Sequence, residues 1–207
     1  MRRLHVPRAA IAGGRATLDD GALHYLRDVL RLKPGAEVEL FDGEGGLYAA
    51  VWEGPERGLS VGERREGARA GVPIWLAFAL SKGDKVDFVV QKATELGAAR
   101  IIPFQAARSV VKIDSSKVAD KQKRWAKIAG EAARQCGRAD IPDVDPPRSL
   151  QALVSLPPDG FAKVLFYEGG GESMSEHAAR DATGHIAVIG PEGGFTNEEV
   201  QLLAQAG

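Results

Sequence analysis

Residues 186–196 read Ile186-Ala-Val-Ile-Gly-Pro-Glu-Gly-Gly-Phe-Thr196, followed by Asn197-Glu-Glu199. The apolar, largely β-branched run from Ile186 to Ile189 predicts a short strand covered on both faces. Gly190, Gly193 and Gly194 then permit backbone angles closed to other residues and let a ligand approach the main chain. Thr196 and Glu199 stand at the spacing of a capping box, so a helix is expected to begin there. A strand end that opens into a helix N-terminus is where open α/β sheets bind ligands. The same spacing also suits a plain tight turn. It is neither a G-x-G-x-x-G fingerprint nor a P-loop, since no Lys-Ser/Thr pair follows the glycines.

The rest of the chain bounds what that turn can serve. At 207 residues it holds one large domain or two small ones. No apolar run is long enough for a membrane helix, and Met1-Arg-Arg-Leu4 lacks a signal-peptide pattern. A single cysteine, Cys136, excludes an internal disulfide and reads as a small packing residue. His5, His24, His177 and His185 show no metal-ligand spacing. The expectation is a cytoplasmic protein with no structural metal. The net charge of −1 conceals an asymmetry: nine Lys/Arg against three acids from Arg108 to Arg138, then three against eleven from Ala139 to Gly207. A basic segment of this kind is either a solvated helix face or a phosphate-backbone contact.

In chain order, residues 1–70 predict a small β-rich unit with one helix. Strands are expected at Arg2 to Val6, Arg15 to Leu18, Glu37 to Phe41, Leu47 to Trp52 and Leu59 to Glu63. Asp19 or Asp20 caps a helix reaching about Leu32, with Leu23, Leu26, Val29 and Leu30 inward and His24, Arg27 and Arg31 outward. Short strands around one helix suggest a small barrel, a shape shared by many RNA-binding modules.

Gly67-Ala-Arg-Ala-Gly-Val-Pro73 reads as the linker, after which strands and helices alternate and predict a largely parallel sheet. Ile74 to Leu80 is a strand. A helix follows Lys82-Gly-Asp-Lys85, with Val86, Val89, Val90 and Ala93 inward and Gly97 at its C-cap. Ile101 to Pro103 completes a βαβ unit, and a long basic helix covers about Ser116 to Gln135. Phe161 to Tyr167 is a further strand, leading into Glu168-Gly-Gly-Gly-Glu172.

These pieces, in this order, resemble the RsmE-type 16S rRNA uridine-N3 methyltransferases of the SPOUT superfamily. The resemblance rests on His24-Tyr-Leu-x-x-Val-Leu-Arg31, Leu40-Phe-Asp-Gly43, Lys82-Gly-x-Lys85 and Gln91-Lys-x-x-Glu-Leu-Gly97. It continues through Arg108-Ser109, Glu131-Ala-x-x-Gln135-Cys-Gly-Arg138, Pro142 and Ile189-Gly-Pro-Glu-Gly-Gly-Phe195. It implies an α/β protein with a PUA-like RNA-binding β-barrel at residues 1–70 and a SPOUT methyltransferase domain of trefoil-knot type at residues 72–207. It further implies a homodimer with S-adenosylmethionine bent into the knot. The family pattern continues with a segment like Leu-Gly-x-Arg-Ile-Leu-Arg-x-Glu-Thr-Ala and a closing helix. The sequence stops at Gly207 before it, so the knot, part of the cofactor site and part of the dimer surface are expected to be incomplete.

The activity expected from the resemblance is methyl transfer to N3 of a uridine in 16S rRNA of the small ribosomal subunit. Leu165, Phe166, Tyr167, Glu168, Ile189, Gly190, Pro191, Glu192, Gly193 and Gly194 form the expected cofactor cradle; Glu192 reads equally as a turn carboxylate. Arg134 and Arg138 are the catalytic candidates, with a plain helix-end role beside it. His24, Arg27, Arg31, Lys82, Lys85, Arg108 and Gln135 are the expected RNA contacts. Two other classes stay open: a non-catalytic RNA-binding module, and an α/β enzyme holding a phosphorylated small molecule at Gly190–Gly194. Binding of S-adenosylmethionine separates the first reading from both.

Overall fold

The computed structural model describes residues 2–68, 71–111, 115–169, 171, 173–178 and 181–206. Arg69 and Ala70 of the expected linker, residues 112–114 of the basic segment, Gly170, Glu172 and Gly207 lie outside that description. The chain forms two compact units, Met1–Arg69 with Gly130–Ile141, and Ala70–Ala129 with Pro142–Gly207.

The first unit contains strands β1 (Arg3–His5), β2 (Ile11–Ala12) and β3 (Arg15–Ala16), helix α1 (Asp20–His24), and strands β4 (Ala36–Phe41), β5 (Gly46–Gly54) and β6 (Gly58–Glu66). They form one sheet ordered β1-β4-β5-β6-β3-β2. β1 runs parallel to β4, and the other pairs are antiparallel. Among the described residues no ladder joins β1 to β2, so the barrel-like sheet stays open there. Burial alternates along β5, placing Tyr48, Ala50 and Trp52 inward with Leu4, Val6, Leu40 and Leu59. Each such large side chain withdrawn from water contributes about 1.5–3 kcal/mol. The hairpin strand β2, formed across Gly13 and Gly14, is not foreshadowed by the expected strand pattern.

Asp19, not Asp20, caps α1: its Oδ1 accepts from Ala22 N at 2.7 Å. The helix then widens into a π-helical turn at Tyr25–Val29. That extra residue per turn rotates the face away from a 3.6-residue pattern. Leu26 is fully buried, while Val29, expected inward, is 58% exposed. Arg31 follows with φ +49°, a left-handed angle unusual for a residue bearing a side chain.

The second unit begins with β7 (Ile74–Ala79), α2 (Lys85–Glu95) and β8 (Arg100–Gln105). Next come α3 (Val118–Cys136), whose residues from Gly130 count with the first unit, then β9 (Asp143–Val144), β10 (Arg148–Ser149) and α4 (Leu150–Val154). The unit ends with β11 (Phe161–Phe166), α5 (Met174–Ala178), β12 (Gly184–Ile189) and α6 (Asn197–Gln205). The sheet is ordered β10-β8-β7-β12-β11, with β9 also on β8, and all its pairs are parallel. Its core joins Ala77, Ile102, Phe104, Ile186, Val188 and Phe195 to Leu150 and Leu153 of α4. β12 is not covered evenly on both faces: Ile186 is 1% exposed but Ile189 is 41% exposed. Burial there alternates, and the strand's last residue emerges at the sheet end. The capping box is present, with Thr196 N donating to Glu199 Oε2 at 2.9 Å and Glu199 N donating to Thr196 Oγ1 at 3.3 Å.

Candidate functional site

Strand order decides where the second unit can bind a ligand. From β7 the chain goes to β8 on one side, and later returns through β11 and β12 on the other. The carboxyl ends beside such a reversal form a crevice that adjacent loops leave open. Registers put Phe166, Ile189, Phe78 and Pro103 in one row at those ends. Phe166, Tyr167 and Ile189 are all more than 40% exposed, an apolar surface at the sheet end that the core does not use. A cavity of about 570 Å³ lies along β11, lined by Leu165, Phe166, Tyr167, Glu168, Met174 and His177 among others. The expected cradle residues from both loops therefore share one sheet end.

The glycine turn is built by its neighbours. Gly194 N donates to Pro191 O at 2.9 Å, and Gly194 takes φ +69°. A Cβ on Gly190 would stand 2.7 Å from Cε2 of Phe195, a buried ring stacked on Phe104 with 6.3 Å between centroids. A Cβ on Gly193 would meet only ordinary contacts, the nearest being Arg108 Cβ at 3.5 Å. The fold itself therefore requires glycine at 190 and favours it at 194, but leaves position 193 free. Lys85 Nζ donates to Glu192 Oε1 at 2.8 Å, and that ammonium holds the Glu192 carboxyl below the usual carboxylate range. Arg108 Nη1 donates to Gly193 O at 2.9 Å. Lys85 and Arg108, expected as RNA contacts, thus both engage the turn; Lys82 is exposed nearby, on the approach to α2.

The remaining candidates lie in the first unit, most of them already paired. Arg27 and His24 both bond Asp28, and the Arg27 guanidinium pulls that carboxyl down to about 2. Arg134 donates to Glu131 Oε2 and, at 2.8 Å, to Tyr25 Oη, with its guanidinium over the Tyr25 ring. Arg138 donates to Asp140 Oδ2 at 2.7 Å. Its side chain is only 13% exposed. Gln135 is exposed, and so is Cys136, which is not the packing residue expected from the sequence. Arg31 is exposed and has no ion pair among the described residues.

Two features had no signal in the sequence. His177 Nε2 and His185 Nδ1 come to 3.4 Å although eight residues apart, because α5 packs beside the start of β12. No group of three or more His, Cys, Asp or Glu that could hold a metal occurs among the described residues. Glu199 serves the neighbouring loop as well as its own helix, since Ala107 N donates to its Oε1 at 2.7 Å.

A parallel α/β unit with a glycine-turn crevice at its reversal point, carried with a small mixed β unit, is the class that this geometry defines. Residues 68–207 match the RNA methyltransferase domain family, and residues 18–58 match the RNA methyltransferase PUA domain family. The chain belongs to the RNA methyltransferase domain family. It is 34% identical over 195 residues to Ribosomal RNA small subunit methyltransferase E of Bacillus subtilis, covering 88% of this chain and 76% of that one. Identity to the protein of the same name from Mycobacterium bovis is 33% over 202 residues, covering 94% and 77%. Among solved structures, the Neisseria gonorrhoeae Ribosomal RNA small subunit methyltransferase E bound to S-adenosyl methionine is similar with a TM-score of 0.85. It is 27% identical, with 100% of this chain and 86% of that chain covered. A Legionella pneumophila methyltransferase in complex with the same cofactor gives 0.85 at 30% identity, covering 99% and 86%.

Proposed function

We propose that this protein methylates N3 of a uridine in 16S ribosomal RNA of the small subunit, with S-adenosylmethionine as donor. The observation that carries the reading is the sheet end itself: exposed Phe166, Tyr167 and Ile189 beside a turn whose Gly193 the fold does not need. An adenosine and a charged amino-acid tail suit that mixture of apolar surface and accessible backbone, so the residues present fit the cofactor. When bound, S-adenosylmethionine supplies a methyl group activated on a sulfonium sulfur.

The chain's own residues do the rest. Leu165, Phe166 and Tyr167 with Ile189 exclude water from the cofactor side, and the main chain of Gly190–Gly194 orients it. N3 of uridine carries a proton, so the ring becomes a good nucleophile only as that proton leaves. Cations facing the uracil stabilise the negative charge that grows on its oxygens. Arg134 and Arg138 are our candidates for that role, and their bonds to Glu131 and Asp140 must open for it. Arg31, His24, Arg27 and Gln135 of the first unit and Lys82 of the second are the proposed RNA contacts. We read residues 1–70 as the RNA-holding unit and 72–207 as a methyltransferase unit of trefoil-knot type, paired with a second copy. Exposed Phe88, Leu96 and Met174 offer apolar surface for such pairing. No described helix is long and apolar enough to cross a membrane, and a substrate in the small ribosomal subunit supports a cytoplasmic location for the reaction.

The test is methyl transfer to purified small subunits, followed by mass spectrometry of the digested 16S rRNA. N3-methyluridine at one position is the expected product. Label on ribose or C5, or no transfer, overturns the assignment.

A further inference from the structure

The loop that follows β8 is fastened at two points, one to the glycine turn and one to the start of α6. Arg108 Nη1 donates to Gly193 O at 2.9 Å, and Ala107 N donates to Glu199 Oε1 at 2.7 Å. The loop is itself closed, because Ala106 N donates to Ser109 Oγ and Ser109 N donates to Ala106 O, both at 3.0 Å. Ser109 and Ala106 are buried, so the loop is a firm mount for the exposed Arg108 side chain.

The bond to Gly193 O acts on one peptide plane. In the peptide joining Gly193 to Gly194, the carbonyl oxygen is held by Arg108 and the N–H is held by Pro191 O at 2.9 Å. A peptide with glycine on either side meets few steric barriers to turning over, so what fixes it is the pair of bonds at its ends. Removing Arg108 leaves only one of them. No carboxylate forms a salt bridge with Arg108 among the described residues; its hydrogen bond goes to a neutral carbonyl, while its charge also acts on the nearby Glu198 carboxyl at the start of α6.

We propose that Arg108 is a positioning residue for the cofactor turn, with Glu199 seating the loop that carries it, rather than one of the RNA contacts of the basic segment. This rests on the reading of Gly190–Gly194 as the cofactor's backbone cradle. Arg108 sets which way the Gly193–Gly194 peptide faces, and Glu199 ties the loop to the start of α6 through the same carboxylate that completes the capping box.

Three measurements on the intact protein separate this from the alternatives. Calorimetry with S-adenosylmethionine should show affinity falling about tenfold in Arg108→Ala. Arg108→Lys should recover part of it, and Glu199→Gln should show a smaller loss because one carboxamide oxygen can still accept. The salt dependence of RNA binding should not change in Arg108→Ala, because no phosphate contact is lost. Hydrogen exchange across residues 190–194 without cofactor should quicken in Arg108→Ala, a readout independent of cofactor binding. Unchanged cofactor affinity in Arg108→Ala, with a shallower salt slope, overturns the proposal and returns Arg108 to the RNA. Unchanged affinity, salt slope and exchange together also overturn it. A wild-type protein that binds no S-adenosylmethionine instead overturns the proposed function, a distinct result.

Discussion

Gly190 and Phe195 are mutually exclusive in the space they occupy: a Cβ at 190 would come within 2.7 Å of the Phe195 ring. Phe195 is buried against Phe104, so it cannot simply swing away. Gly190→Ala should therefore destabilise the second unit by about 1–3 kcal/mol, the usual cost of overpacking. Urea denaturation checks it. Adding Phe195→Leu should recover part of the loss, and a double variant no better than the single one counts against the steric explanation.

Gly193 offers the opposite case. A methyl group there meets nothing closer than 3.5 Å, so Gly193→Ala should keep wild-type stability. If the cofactor approaches the main chain at this position, its affinity should still fall about tenfold, read by calorimetry. Gly194→Ala is a poorer probe, since its φ of +69° adds about 1 kcal/mol of backbone strain whatever binds.

Asp42 sets an acid limit on the first unit. Burial alone would raise its carboxyl, but donation from Gly46 N, Glu44 N, Arg64 and Tyr48 outweighs burial and holds it below its ordinary 3.8. A carboxyl depressed on folding stabilises the fold above its unfolded value, and that contribution is lost as pH falls through the folded one. Asp42→Asn should cost roughly 2–3 kcal/mol at pH 7, where the ionised acceptor is missed. Below the ordinary value, as Asp42 itself protonates, the gap between variant and wild type should narrow. Denaturation series at neutral pH and near pH 3 measure it, and a gap independent of pH sinks the argument.

Arg27 and Arg31 should differ in how they meet RNA. Arg27 is committed to Asp28, whereas Arg31 has no ion pair among the described residues. Arg31→Ala should make the log–log salt dependence of RNA binding shallower by about 0.7, one phosphate's worth on a single strand. Arg27→Ala should change it less. Filter binding across a salt series decides between them.

Much of this architecture is legible from residue pattern alone. Alternating apolar residues set β5, the capping box set the start of α6, and Gly97 takes a left-handed angle where α2 ends. Val29 was misread because a π-helical turn breaks the 3.6-residue period, and no residue type announces that widening. Cys136 was misread because its type is usually buried, while its place near the end of α3 leaves it exposed. At the candidate site, residue types pointed to the right loops but not to their pairings. Nothing in Lys85 or Arg108 says that each will reach the glycine turn across many intervening residues; only the parallel sheet brings those loops to one end. Charge asymmetry likewise marked the basic segment without revealing that Arg134 and Arg138 find acids close by on their own stretch of chain.

The position of β12 in its sheet has a consequence for how the second unit is made. β12 lies between β7 and β11, yet the chain reaches it only after α2, β8, α3, β9, β10, α4, β11 and α5. While a nascent chain emerges from the ribosome, β7 therefore waits with one edge unpaired and its apolar face half-covered. β11, already synthesised, has no neighbour to join. Such long-range parallel pairing makes assembly slow and leaves the waiting edge open to other chains. The unit closes from its middle outward in one late event, so premature release or a stall before residue 184 should yield aggregates rather than a partly folded sheet.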